Sequence, residues 1–166
     1  MLTLYKTKNE RVYEKLKSLL SISDCQLKRT ENGKPYIENS DTFFSVTHTG
    51  DIALIAISNM PTGVDAEKIK PHSFKHILKR FTSKEYAEID GNTIKFLKNW
   101  VVKEAFIKMY GGTLAHDLKR MEYANGQLNF DGRKADCNVF CSDAEGFVYA
   151  ICTKSDIPKD IKIITI

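Results

Sequence analysis

The stretch F-L-K-N-W-V-V-K-E-A-F-I-K-M-Y-G-G, residues 96–112, constrains this 166-residue chain more than any other. Leu97, Trp100, Val101, Glu104 and Lys108 recur at helical spacing, which predicts one stripe of a single helix. Glu104 shares that stripe with Trp100 and aliphatic residues, so the expectation is an acid turned into the molecule. Gly111-Gly112 supplies the C-terminal stop, and Thr93 is the expected N-cap. Taken alone, Glu104 and Lys108 read better as an i,i+4 pair lending a few tenths of a kcal/mol to an amphipathic helix. A second acidic pair tips the balance.

That pair lies in Gly63-Val64-Asp65-Ala66-Glu67. A short strand after Pro61-Thr62-Gly63 places Asp65 and Glu67 two apart, on one face. Like charges there repel, and nothing structural requires them. Two carboxylates from a strand and a third, Glu104, from a helix make the open, oxygen-rich site that Mg²⁺ uses when it also holds substrate phosphates. Hard oxygen ligands accept Mn²⁺ as well.

The strongest strand signal is 43–58. Phe44, Val46 and His48 alternate with Ser45, Thr47 and Thr49, Gly50-Asp51 makes a turn, and 52–57 is a continuous apolar strand. His48 therefore ends a strand just before a tight turn. A lone histidine is more often structural than functional. Hydroxyls at Thr47 and Thr49, with free backbone N–H groups near a turn, nevertheless suit a phosphate.

Elsewhere, 2–5 reads as an edge strand, and 9–20 as a surface helix with Val12, Leu16, Leu19 and Leu20 on its apolar stripe. Asn32-Gly33 is a turn, and Gly33-Lys34-Pro35-Tyr36 runs extended because proline disfavours helix at the residue before it. Ser73 is the expected N-cap of a helix carrying Phe74, Ile77, Leu78 and Phe81. Thr82 or Ser83 opens another, with Glu85 in its first turn. Strands follow at 118–124, 127–130, 137–141, 147–153 and 161–166, with an Asn125-Gly126 hairpin turn. Helix then strands recurs weakly, dividing the chain into halves 1–60 and 61–166 joined through 60–63.

A hydrophobic content of 42% supports a core, and no apolar run approaches the roughly 20 residues that span a bilayer. The start lacks a signal-peptide apolar region, so a cytoplasmic location is expected. Cys25, Cys137, Cys141 and Cys152 show no C-x-x-C spacing, which predicts free thiols rather than zinc ligands, with core burial the reason Cys137 and Cys141 share a strand face. A net charge of +4 with scattered lysines fits an anionic ligand or acidic partner better than a nucleic-acid surface.

G-V-D-A-E, F-T-S-K-E-Y and W-V-V-K-E-A-F-I-K closely resemble the signature blocks of the 4′-phosphopantetheinyl transferases, best the pseudodimeric type that activates surfactin synthetase and other carrier-protein systems. G-K-P-Y and F-S-V-T-H-T-G-D-I-A match two further blocks that the small trimeric holo-acyl-carrier-protein synthases lack. The resemblance runs in order from about Gly33 to about Thr153. It implies an α+β fold of two pseudo-symmetric halves, each a helix packed on a small, mainly antiparallel sheet, with coenzyme A and Mg²⁺ in the cleft between them. The implied reaction moves the phosphopantetheine arm of coenzyme A to a serine of an acyl or peptidyl carrier protein, releasing adenosine 3′,5′-bisphosphate.

Carried over by position, Asp65, Glu67 and Glu104 resemble the metal ligands, with Glu104 also the base for the serine hydroxyl. Lys108 matches a lysine that contacts the phosphates and assists the leaving group. His48 with Thr47 matches residues on the 3′-phosphate and pyrophosphate, and Lys34 a basic residue near the 3′-phosphate. Lys103 belongs to the motif and is carried as a coenzyme A-binding candidate. A pseudodimer needs no partner copy, so a monomer is expected, without nucleic acid or membrane.

The chain departs from the family pattern in three places. Ala66 stands for a larger aliphatic, the loop at 89–93 is brief, and the N-terminal half is short. Arg11, Lys15 and Lys17 are the candidates to replace the basic residues that relatives carry before G-K-P. The short half leaves a second reading, a coenzyme A-binding protein that turns over poorly; three retained carboxylates and Lys108 favour the enzyme.

Overall fold

A computed structural model of the chain describes residues 1–70, 74–158 and 161–166. In chain order the elements are β1 (Leu2–Lys8), α1 (Val12–Leu20), β2 (Leu27–Arg29), β3 (Pro35–Ile37), β4 (Phe43–Thr49), β5 (Ile52–Ser58) and β6 (Thr62–Lys68). Then come α2 (Lys75–Leu78), α3 (Ser83–Ile89), α4 (Thr93–Tyr110), α5 (Leu114–Asp117), β7 (Met121–Ala124), β8 (Gln127–Phe130), β9 (Arg133–Lys134), β10 (Asn138–Ala144), β11 (Phe147–Thr153) and β12 (Ile163–Thr165). The fold is α+β, as expected, and two sheets organise it. One runs β12-β1-β5-β4 and the other β10-β11-β6.

Alternation along the strands stacks these sheets between two helices. Leu54 and Ala56 of β5 face inward with Leu2 and Leu4 of β1, meeting Val64, Ala66, Phe147, Tyr149 and Ile151 of the second sheet. The opposite face of β5, Ala53 and Ile55, packs with Phe44 under Val12 and Leu16 of α1. On the far side, Val148, Ala150 and Cys152 of β11 pack under α4. Period-2 side-chain alternation thus gives a helix–sheet–sheet–helix sandwich.

The two sheets meet at β4 and β6, which are joined by hydroxyls. Ser45 Oγ accepts the Val64 N–H (3.0 Å) and Thr49 Oγ1 accepts the Lys68 N–H (2.8 Å). Between them, Thr47 Oγ1 donates to Asp65 Oδ1 at 2.9 Å. The Ser/Thr positions that alternate with Phe44, Val46 and His48 therefore form the seam, and the other face of β4 is left to line a cleft.

Several expectations are corrected. β1 is an interior strand, because β12 pairs parallel to it. The first turn expected of the 9–20 helix is a 3₁₀ turn, Asn9–Arg11, ahead of α1. Residues 118–120 are likewise a 3₁₀ turn before β7. The cap of α4 is Asn92, whose side chain accepts the Lys95 N–H at 3.0 Å. The Ser73 cap lies outside the described residues. Thr82 does cap α3, in a capping box with Glu85. The largest correction concerns α4. It is buried on most of its circumference, because β6 and β11 cover one side and α3, β7 and β10 reach the others. Trp100, Glu104 and Lys108 form its half-buried edge rather than a core-facing stripe.

Candidate active site

Helix α4 lies against the face of β6 that carries Gly63, Asp65 and Glu67. A Cβ at Gly63 would overlap the Ala105 carbonyl oxygen and the Met109 nitrogen. Only glycine lets helix and strand approach this closely. That approach puts the acids of β6 opposite the Glu104–Lys108 edge. Lys108 Nζ lies 2.6 Å from Asp65 Oδ1, the oxygen that also accepts the Thr47 hydroxyl.

Glu104 sits beside this pair. Burial above all, then the Asp65 carboxylate and Glu67, push its carboxyl up from the ordinary 4.5 to about 7, with Lys108 pulling the other way. A buried carboxyl facing two other acids resists ionisation. Glu67 stands on the opposite flank, lining a small cavity with Leu97 and Trp100. Among the described residues no three His, Cys, Asp or Glu side chains are grouped to hold a metal ion.

Beyond Lys108 opens a cavity of about 250 Å³. One side is basic and polar, with Lys34, His48, Lys108 and Ser45; the other is apolar, with Tyr13, Pro35, Phe44, Val46 and Ile107. Gly111 and Gly112 close one end. Gly111 takes a left-handed φ of 83°, which ends α4 as the glycine pair predicts. The loop before β3 is fastened to that end. Lys34 Nζ donates to the Met109 carbonyl (2.8 Å) and Asn32 Nδ2 to the Gly111 carbonyl (2.8 Å). Burial pulls the Lys34 ammonium below its ordinary proton affinity.

The structure thus brings together Asp65, Glu104, Lys108 and Thr47, sets Glu67 on the flank, and places His48 and Lys34 around the adjoining cavity. Lys103 is elsewhere. It is fully buried, 2.6 Å from Glu85 and 3.9 Å from the centre of the Phe81 ring, on the side of α4 away from the cavity lining. Glu85 also accepts the N–H groups of Thr82 and Tyr123, so the two motif residues brace α3, α4 and β7. Arg11 and Lys17 pair with Glu14 and Asp24, and none of Arg11, Lys15 and Lys17 lines the cavity. Tyr13 does line it, a placement that no local pattern in the sequence signals.

The family profile described as the 4′-phosphopantetheinyl transferase superfamily matches residues 61–152. The 4′-phosphopantetheinyl transferase Sfp of Bacillus subtilis (strain 168) is 32% identical over 160 residues, covering 88% of this chain and 71% of the relative. The transferase ffp of Bacillus subtilis is 29% identical over the same shares of each chain. The human L-aminoadipate-semialdehyde dehydrogenase-phosphopantetheinyl transferase is 34% identical over 127 residues, 64% of this chain and 41% of that longer protein.

Proposed function

This chain belongs to the 4′-phosphopantetheinyl transferase superfamily, and on that premise we propose that it moves the 4′-phosphopantetheine arm of coenzyme A to a serine of an apo carrier protein. The observation that carries the reading is a carboxyl, Glu104, whose proton affinity is raised to about 7, beside a lysine–aspartate pair at the mouth of a cavity of about 250 Å³ with one basic side. A protein that only binds coenzyme A has no use for such a carboxyl.

In this reading coenzyme A lies along the cavity with its phosphates toward Lys34, His48 and Lys108. The serine oxygen bonds to the phosphorus bearing the pantetheine arm, and the bond from that phosphorus to the bridging oxygen breaks. Adenosine 3′,5′-bisphosphate leaves. Glu104 accepts the serine proton, directly or through a water, and a base works best when its proton affinity lies near the working pH. Lys108 offsets the charge on the departing oxygen.

The donor set fits a hard divalent cation in type and in charge. Asp65, Glu67 and Glu104 would hold Mg²⁺, or Mn²⁺; the proton affinity of Glu104 is raised first by burial and then by the Asp65 and Glu67 carboxylates, whose charge such an ion would neutralise. When bound, the ion supplies Lewis-acid neutralisation of the pyrophosphate oxygens. The net charge of +4 suits an acidic acyl or peptidyl carrier protein. The division at 60–61 falls between β5 and β6, and we read it as the join of the two halves.

The test is release of adenosine 3′,5′-bisphosphate from coenzyme A, followed by chromatography. Release that depends on both an apo carrier protein and Mg²⁺ supports the reading. Release without a carrier, or none across fatty-acid, polyketide and peptide-synthetase carriers, contradicts it.

A further inference from the structure

Along the cleft face of β4, the cavity wall changes character from Phe44 through Val46 to His48. At about 3.3 Å per residue, that gradient covers roughly 13 Å. The His48 end adjoins Lys108, and through it Asp65 and Glu104. The Phe44 end carries Pro35 and, besides the buried Phe44 ring, the exposed ring of Tyr13. Tyr13 keeps 40% of its surface exposed although its neighbours on α1, Val12 and Leu16, are buried in the core beneath. The helix is thereby anchored, and the ring projects from it onto the cavity wall. A tyrosine has few rotatable bonds, so a ring held this way is a preformed flat surface.

A nucleotide has the same asymmetry, with a flat, weakly polar base at one end and phosphates at the other. Resting on the function proposed above, we propose that Tyr13 is a specificity-determining residue that covers the purine base of coenzyme A. Its role follows from the cavity's polarity: with phosphates at Lys34, His48 and Lys108, the base falls on the apolar side. Of the basic residues that the sequence offered for nucleotide binding, Arg11 and Lys17 point elsewhere, into surface pairs with Glu14 and Asp24, and Lys15 does not line the cavity. The contribution of α1 to the substrate site is then an aromatic face rather than a charge.

The test uses the full chain and a ligand that needs no carrier protein. Adenosine 3′,5′-bisphosphate is titrated calorimetrically into the parent, Tyr13→Ala and Tyr13→Phe, and inorganic pyrophosphate into the same three. Base–aromatic stacking removed by alanine predicts a Kd for the bisphosphate about tenfold weaker. Tyr13→Phe keeps the ring and should recover most of that loss. Pyrophosphate has no base, so its Kd should not separate parent from Tyr13→Ala. Bisphosphate binding unchanged in Tyr13→Ala, or pyrophosphate weakened to the same degree, overturns the Tyr13 assignment and leaves the transferase reading standing. A parent that binds neither ligand overturns the nucleotide cavity itself, and the Tyr13 assignment with it.

Discussion

Glu104→Gln should make this protein more stable at pH 8 while stopping its chemistry. The Glu104 carboxyl is pushed from 4.5 up to about 7 in the folded chain, chiefly by burial and by Asp65. A group with a raised folded-state proton affinity contributes stability that is fully present below its unfolded value and is lost as pH climbs through its folded one. The window is therefore from about 4.5 to about 7. At about 1.4 kcal/mol per pH unit, the loss above pH 7 is bounded at roughly 3 kcal/mol. Solvent reaching a half-buried side chain brings the expected value nearer about 1–2 kcal/mol. Glutamine keeps the shape and carries no charge, so it escapes the penalty. Urea unfolding of both proteins at pH 4, 6 and 8, with a chelator present, measures this directly. The advantage of the variant should grow with pH and vanish at pH 4. A variant equally or less stable than the parent at pH 8, or a difference independent of pH, would refute the electrostatic account of the site.

Three further outcomes are expected. Gly63→Ala forces a methyl into the backbone of α4 at Ala105 and Met109; overpacking of this kind costs at least about 1–3 kcal/mol and separates Asp65 from Lys108, so both melting temperature and turnover should fall. A soluble variant with the parent's melting temperature would show that β6 and α4 are less closely packed than described. Glu85→Ala leaves the buried Lys103 ammonium unpaired, a loss of about 3–5 kcal/mol, whereas the double replacement Glu85→Leu with Lys103→Met should recover much of it. Equal melting temperatures for single and double variants would dismiss the brace. Millimolar Mg²⁺ should raise the parent's melting temperature, as ligand binding to the folded state requires, and raise that of Asp65→Ala much less; equal shifts would remove Asp65 from the metal set.

How far the sequence disclosed all this varied with the physics involved. Period-2 alternation found β4, whose faces differ in character, and a continuous apolar run found β5, which is buried on both faces. The hairpin turn at Asn125-Gly126 was legible from the positive φ that both residues adopt, 52° and 73°. Like charges two apart on a strand picked out Asp65 and Glu67, and an i,i+4 edge picked out Glu104 and Lys108. Helix α4 was harder, since one stripe was sought in a helix covered from several sides. Lys103 illustrates the same difficulty. A lysine in a motif reads as a ligand contact, yet its partner Glu85 lies 18 residues earlier and only the tertiary fold brings them together. Tyr13 and the parallel pairing of β12 with β1 depend on long-range placement that no local pattern encodes.

The most direct measurement is the intact mass of an apo carrier protein incubated with this chain, coenzyme A and Mg²⁺, with Glu104→Gln and Asp65→Ala alongside. The account predicts a gain of one phosphopantetheine group on the carrier serine with the parent, and little or none with either variant. No gain with any carrier class, while coenzyme A still binds, would contradict transfer; full gain with Glu104→Gln would contradict the base.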